Sequence, residues 1–316
     1  MKLPIPGLFS ASRPTSWTAF DLSGGLIAAS VSPGGKNGDK PKVLKHSAVI
    51  GKDPDSFALA EIDKAGASTG CAKALILNRG EYQIFQTDKP AVKTEEIQKS
   101  LEWALSPLID YPITEANMAW LDIPTDGQAA KQAKVYLICS KREIVNHYSQ
   151  LFKKSNADLQ AIDVRETSQR NIAALIERGN HGVCLVFAEK TGVQITITMK
   201  GELYLERFIR EPLYSEAPSA LPDAERIDRV ALEIQRSIDF VRRTFPAIPI
   251  EEVTVGPTLT NIQLADQLAQ RMTEPVRSLD LSSLFEWPSG SNLNRLEVQA
   301  LYFYALGGAL RGRRSG

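Results

Sequence analysis

The polarity pattern of residues 181–210 changes three times, and each change marks a strand. Val183, Cys184, Leu185, Val186 and Phe187 form an unbroken apolar run, the pattern of a strand buried on both faces. Beyond Glu189, Lys190, Thr191 and Gly192, the residues Val193, Ile195, Ile197 and Met199 alternate with Gln194, Thr196, Thr198 and Lys200. That alternation predicts a strand with one face in the core and one in water. Lys200 and Gly201 supply a tight turn, and Leu203 and Leu205 alternate with Tyr204 and Glu206 in a returning strand. A three-stranded antiparallel meander therefore occupies the middle of the chain.

Helical spacing surrounds it. Ile97, Leu101, Ala104 and Leu108 recur on one face behind Thr94, which can cap the helix, while Pro107 loosens its last turn. Strands are expected at 118–123 and 135–139. Ser140 and Glu143 then have capping-box spacing before a helix that carries Ile144, Tyr148, Leu151 and Phe152 on one face, with Asn156 as a left-handed stop. A strand at 159–162 and a helix at 167–178 lead into Val183. Such alternation of strand and helix predicts an α/β fold with a partly parallel sheet and right-handed crossovers. After the meander, Asp223 can cap a helix striped with Ile227, Val230, Ile234, Ile238, Val241 and Phe245, a core face that ends at Pro246. A strand at 251–255, a helix at 261–272 and a strand at 276–279 follow. In the final helix, 295–310, Ala305, Gly307, Gly308 and Ala309 allow another backbone to approach closely. The first part of the chain is less patterned. Residues 17–20 and 26–31 read as a hairpin, followed by strands at 43–49 and 74–77 with a short helix at 55–64 between them.

Composition narrows the partners. The chain has 316 residues, of which 43% are hydrophobic, enough for two domains or one large composite. Lys plus Arg and Asp plus Glu are 37 each. No net positive field attracts a phosphate backbone, which argues against nucleic acid. Arg311, Arg313 and Arg314 read as a solvated tail. The three cysteines lack metal-ligand spacing; Cys139 and Cys184 fall inside apolar strands as small buried hydrophobes, in keeping with a reducing compartment. Residues 1–10 lack the apolar core of a signal peptide, and no run approaches the roughly 20 apolar residues of a membrane span. The expected location is the cytoplasm.

Candidate chemistry is sparse. His46, His147 and His181 stand apart from any nucleophile motif, and neither a P-loop nor a GxGxxG occurs. Three glycine turns follow strands: Asp21 to Gly25, Glu189 to Gly192, and Val255-Gly256-Pro257. Each is either a tight turn or a set of backbone N–H groups offered to an anion. Asp21, Asp163 and Glu189 are the carboxylates available to a cleft, and each also reads as a turn or capping residue.

From about residue 94 to 310 the chain resembles the PilM family, the actin-like proteins of type IV pilus assembly. The matching segments, in order, are Leu101-Glu102-Trp103-Ala104, Leu108-Ile109-Asp110-Tyr111-Pro112, residues 135–139 with Ser140-Lys141-Arg142-Glu143, Ala161-Ile162-Asp163-Val164, residues 197–203, residues 233–239 and residues 305–311. The resemblance implies an actin-like α/β fold in which two domains flank a cleft. It assigns residues 1–88 to the first domain, 89–160 to an inserted subdomain, 161–180 to the return, 181–294 to the second domain and 295–316 to a helix packed back on the first. It also implies ATP and Mg2+ in the cleft. Retained nucleotide contacts would be Asp21, Ser23, Gly24, Gly25, Thr191, Gly192 and Gly256, with no catalytic residue and no protein metal site assigned. The turns depart from the family pattern. Ser23 stands where Asp-x-Gly needs glycine, Phe187 stands near an expected Asp, and Gly256 is alone where several glycines are usual, which implies lost catalysis. What remains is docking of the cytoplasmic tail of a PilN-like inner-membrane protein in the pilus alignment complex. The tail would lie as an extended peptide in a groove beside the inserted subdomain, so the protein reaches the membrane only through this partner. A slow ATPase switch is the alternative, and a phosphotransferase of the same superfamily the more distant one. Trp103 reads as a core residue, with a partner anchor as the other choice.

Overall fold

One ladder pattern, two antiparallel pairings followed by two parallel ones, occurs twice along the chain and organises the molecule. The computed structural model describes residues 16–34, 39–51, 53–67, 70–125, 133–214, 224–260 and 262–311. The first group of elements is β1 (Trp17–Asp21), β2 (Gly25–Ser32), β3 (Lys42–Ile50), α1 (Ser56–Gly66) and β4 (Ala72–Ile76). Next come β5 (Gln83–Asp88), α2 (Thr94–Leu105), β6 (Ala116–Ile123), β7 (Lys134–Lys141), α3 (Arg142–Lys154), β8 (Leu159–Asp163) and α4 (Arg165–Ile176). The last group is β9 (Gly182–Glu189), β10 (Gly192–Met199), β11 (Glu202–Ile209), α5 (Ala224–Thr244), β12 (Ile250–Val255), α6 (Leu264–Ala269), β13 (Val276–Ser278) and α7 (Leu296–Ala309).

The first sheet has strand order β3-β2-β1-β4-β8 and the second β11-β10-β9-β12-β13. A third, antiparallel sheet, β5-β7-β6, lies between β4 and β8 in sequence. It takes in β5, which lies before the expected start of the insertion at residue 89. Conversely, α3 lies inside the expected range but places Tyr148, Leu151 and Phe152 in the core beneath the first sheet, against Phe20 and Leu75. The reason is connectivity: α3 is the crossover that returns the chain to β8.

The apolar run of β9 is buried on both faces, as its pattern requires. Cys184, Val186 and Ala188 enter the core under α5, whereas Leu185 and Phe187 enter the core around α7. The same α5 core receives Ile227, Val230, Ile234, Ile238 and Val241, the expected stripe. Asp223, the expected cap of α5, lies outside the described residues, as do Asn261, Arg313 and Arg314. The turn after β10 has φ of 54° at Lys200 and 71° at Gly201, the paired positive values of a type I′ hairpin.

Several expectations change. The strand β10 is buried on both faces, not half-exposed: Gln194, Thr196 and Thr198 are 0% accessible because α4 covers them and Gln169 extends its amide to the Leu185 carbonyl. Ser140 caps nothing, since β7 runs through it to Lys141; its hydroxyl instead donates to the Glu81 carbonyl. Thr94 is the first helical residue of α2, not its cap. On that helix Leu101 and Leu105 are buried and Trp103 is 75% exposed, while Leu108, in the 3-10 turn Ser106–Leu108 that follows it, is also exposed. The core beneath α2, built on Leu137 and Cys139, is small and faces only one side of the helix. Helix α6 is limited to Leu264–Ala269. Arg311 is no solvated residue: it ion-pairs with Asp163 and lies over the Trp17 ring. Among the described residues no helix is long and apolar enough to cross a membrane.

Candidate functional site

The C-terminal ends of β1, β4, β8 and β9 converge on one cleft between the two five-stranded sheets, a position set by the parallel pairings. Asp21 ends β1 and accepts the Ser23 backbone N–H at 2.9 Å, an Asx turn that fixes the β1–β2 hairpin. Gly24 takes φ of +75°, and a Cβ built there would lie 3.4 Å from Lys190 Nζ, so the tips of the two glycine hairpins face each other. Gly25 and Gly192 begin the second strand of each hairpin and have the same packing reason. A Cβ at Gly25 would lie 2.4 Å from the Val49 carbonyl oxygen, and one at Gly192 only 2.1 Å from that of Ile209. Thr191 completes the second turn beside Lys190. A Cβ at Gly256 would meet the Phe187 ring at 2.8 Å. Phe187 itself stacks on Phe303, with ring centroids 3.9 Å apart and planes within 8°. The structure thus brings the two hairpin tips together at Gly24 and Lys190, while the space beside Gly25 is taken by β3, that beside Gly192 by β11 and that beside Gly256 by Phe187.

What fills the centre is a charged network that the sequence did not reveal. The turn after β4 projects Arg79, whose Nη2 donates to Glu189 Oε1 at 2.7 Å and to Gln194 Oε1 at 2.8 Å, while Nε reaches Glu189 Oε2 at 3.2 Å. Its Nη1 lies 3.2 Å from Glu166 Oε1, and its guanidinium sits 3.7 Å over the Phe208 ring. From the first turn of α4, Arg165 donates to Glu189 Oε2 at 2.6 Å and stands 3.7 Å from Asp21 Oδ1. The Tyr82 hydroxyl donates to Glu166 Oε2 at 2.7 Å, and the Tyr304 hydroxyl to Glu189 Oε1. Asp163, also considered for this cleft, is instead taken by Arg311.

The titration directions follow from this arrangement. Burial works against ionisation of Glu189, but Arg165 first and the Arg79 hydrogen bond next hold its carboxyl below the usual range. Burial, the largest single influence, works against the Arg79 charge, but the Glu189 hydrogen bond together with the nearby Tyr82, Glu166 and Glu189 charges outweighs it, so that guanidinium titrates above its ordinary value. Glu206 behaves oppositely: burial, then the neighbouring charge of Glu166, push it up to about 7, against weaker opposition from Gln194, Arg79 and Arg207.

A pH dependence follows. Because the folded pKa of Glu206 lies above the roughly 4.3 of an unfolded glutamate, the folded state holds a proton that the unfolded state has released between about pH 4.5 and 7. Stability contributed by that proton is present at the acid end and is lost as pH rises through 7. Urea midpoints of wild type and Glu206→Gln should therefore diverge between pH 5 and 8, with wild type losing roughly 2–3 kcal/mol more than the variant. Parallel curves would remove Glu206 from the titration.

No family model matches the chain, and no curated protein does. Among solved structures it is similar to a PilM-PilN type IV pilus biogenesis complex, with a TM-score of 0.73 at 13% identity over 95% of this chain and 98% of that one. It is more loosely similar to the cytoplasmic domain of EpsL, an inner membrane component of the type II secretion system of Vibrio cholerae, with a TM-score of 0.47 at 10% identity over 90% and 94% of the two chains. A Bacteroides thetaiotaomicron protein with an actin-like ATPase fold gives a TM-score of 0.48 at 10% identity, covering 91% and 95%. The chain therefore has an actin-like α/β fold, in which two α/β units flank a cleft and a small third sheet is inserted between β4 and β8.

Proposed function

We propose that this protein is a non-catalytic, actin-like scaffold of type IV pilus biogenesis that docks the cytoplasmic tail of a PilN-like inner-membrane protein. The observation that carries the non-catalytic part is the occupied cleft. Asp21, Glu166 and Glu189 surround Arg79 and Arg165, so both guanidinium groups are already neutralised and neither is free for a triphosphate. The residues present do not fit ATP and Mg2+: Glu189 is spent on two arginines, and Phe187 offers magnesium no oxygen. Support for the partner is the likeness in fold to a PilM-PilN complex, together with the ordered segments from Leu101 to Arg311 that resemble this family. Our reading of the pilus class is the mannose-sensitive haemagglutinin type, because those segments resemble MshI. On this reading the protein is cytoplasmic, lies at the inner face of the inner membrane and joins the pilus alignment complex through its partner.

One titration tests both parts. A synthetic peptide of the cytoplasmic tail of the PilN-like protein from the same organism should bind with a micromolar dissociation constant by calorimetry, equally well with and without millimolar ATP and magnesium. Absence of peptide heat would overturn the scaffold. ATP heat that Asp21→Ala abolishes would favour the slow ATPase switch, with Ser23, Gly24, Thr191 and Gly192 as phosphate contacts.

A further inference from the structure

We infer that Arg79 is a latch that holds the two halves of the molecule closed without any ligand. Arg79 belongs to the half built on the first sheet, whereas Glu189, Gln194 and Phe208, which it grips, belong to the half built on the second. The turn that presents it is rigid. Within Asn78–Glu81, the Asn78 N–H donates to Glu81 Oε2 at 2.7 Å, and the Glu81 carboxylate and carbonyl accept from Tyr148 at 2.6 Å and Ser140 at 2.7 Å. A guanidinium held this way cannot follow the second half if the halves separate. Its bidentate contact to Glu189 is therefore strained first.

The surfaces that meet beside the latch are polar. On one side α4 contributes Glu166 and Gln169; on the other β10 contributes Gln194 and Thr196, both 0% accessible. Among the described residues, Thr196 Oγ1 and Gln169 Oε1 have no hydrogen-bond partner. Such groups gain partners when water enters, so this seam resists opening weakly compared with the apolar contact of Phe187 on Phe303. The seam is therefore held chiefly by the ion pairs to Glu189, from Arg165 inside and from Arg79 at the edge, where Arg79 also covers Phe208. The side chain is 21% accessible, so it stands at the mouth of the cleft, where solvent arrives first. A closed state of this kind needs no bound phosphate, and it leaves closure open to control by anything that competes for Arg79. This inference rests on the reading of the cleft as filled by the chain's own side chains.

Hydrogen–deuterium exchange of the full chain tests it, comparing wild type, Arg79→Lys and Arg79→Ala. Arg79→Ala should speed exchange about tenfold or more at residues 165–169, 189–196 and 206–208, with α7 and β1 changed less than twofold. Ethylguanidinium at 10 mM should restore slow exchange to Arg79→Ala, because it replaces the missing fork. Arg79→Lys should fall between, since an ammonium cannot make the bidentate contact. If Arg79→Ala does not accumulate folded, Arg79→Lys supports the same comparison. Unchanged exchange in the seam, an equal rise in α7, or no response to ethylguanidinium would each overturn the latch. Closure of Arg79→Ala by ATP and magnesium would overturn both this inference and the reading beneath it, while a latch that fails in a protein that still ignores ATP and binds the tail peptide would leave that reading standing.

Discussion

Glu189→Ala should cost about 4 kcal/mol of folding stability, the cost of breaking a buried ion pair by removing one partner. The substitution removes the carboxylate shared by Arg79 and Arg165, leaving Arg79 only the Glu166 carboxylate at 3.2 Å and Arg165 only that of Asp21 at 3.7 Å. It also leaves the Tyr304 hydroxyl, fully inside the protein, without its acceptor. Against the usual 5–15 kcal/mol of net stability this is a large fraction, and it should lower the thermal midpoint by about 10 °C. Glu189→Gln keeps an oxygen and loses the charge, so it should lose less, about 2 kcal/mol. The two variants also separate on the acid side. Because Arg165 and Arg79 depress the Glu189 pKa, its contribution is fully present above the ordinary carboxylate value and is lost as pH falls through the depressed one. Denaturant curves from pH 3 to 6 should show that acid-side loss in wild type and less of it in Glu189→Gln. A Glu189→Ala protein as stable as wild type would mean the two arginines are not held as described.

Gly307→Ala should be similarly damaging, by about 3 kcal/mol or more, even though alanine is the better helix former by about 1 kcal/mol. A Cβ at Gly307 would lie 2.3 Å from the Ser168 carbonyl oxygen and 2.8 Å from its carbon, both backbone atoms of α4 that cannot step aside. The same contact carries a hydrogen bond from the Asn171 amide to the Gly307 carbonyl at 2.9 Å, which a displaced helix would lose. Gly308→Ala meets Ile76 Cδ1 at 2.5 Å and Ala19 Cβ at 2.9 Å. The Ile76 methyl can rotate away and only the Ala19 Cβ, fixed to β1, must be displaced, so roughly 2 kcal/mol is expected there. Urea denaturation of the two variants should rank them in that order, and a Gly307→Ala protein at least as stable as wild type would refute the close crossing of α4 and α7. The seating of α7 against β1, β2, β4 and α4 depends on these two glycines.

The sequence makes the regular elements legible wherever both the period and the partner are local. Asp55 accepts the Ala58 N–H at the start of α1, Asn156 takes φ of 56° after α3, and Lys200-Gly201 turns the second hairpin, all readable from nearby residues. Readings failed where polarity was taken as a proxy for exposure. Gln194, Thr196 and Thr198 have the spacing of a solvent face but are covered by α4, whose own exposed-looking Gln169 reaches the Gln194 carbonyl. Trp103 fails in the other direction: a large aromatic on a helical stripe suggests core, yet the small sheet beneath α2 has no depth left for it. Of the cleft, the three glycine turns and Asp21, Glu189 and Gly256 were visible. Arg79, Glu166, Tyr82, Glu206 and Tyr304 were not, because no motif marks them and their separations run to 115 residues in sequence. One local signal was available. Arg79 sits in a short Asn-Arg-Gly turn directly after an apolar strand, where the end of a parallel strand delivers a side chain to the cleft.

By itself the sequence determined the alternating α/β elements and the twofold use of glycine hairpins. These depend on backbone conformation and side-chain type, which act over a few residues. Only the tertiary structure decided what occupies the cleft. Whether an arginine there is free for an anion or already neutralised depends on which carboxylates the two sheets bring within 3 Å, and that is fixed by the packing of α4, β9 and the turn after β4. The Coulomb energy of such a group falls with distance and rises with burial, neither of which is written in the order of residues along the chain.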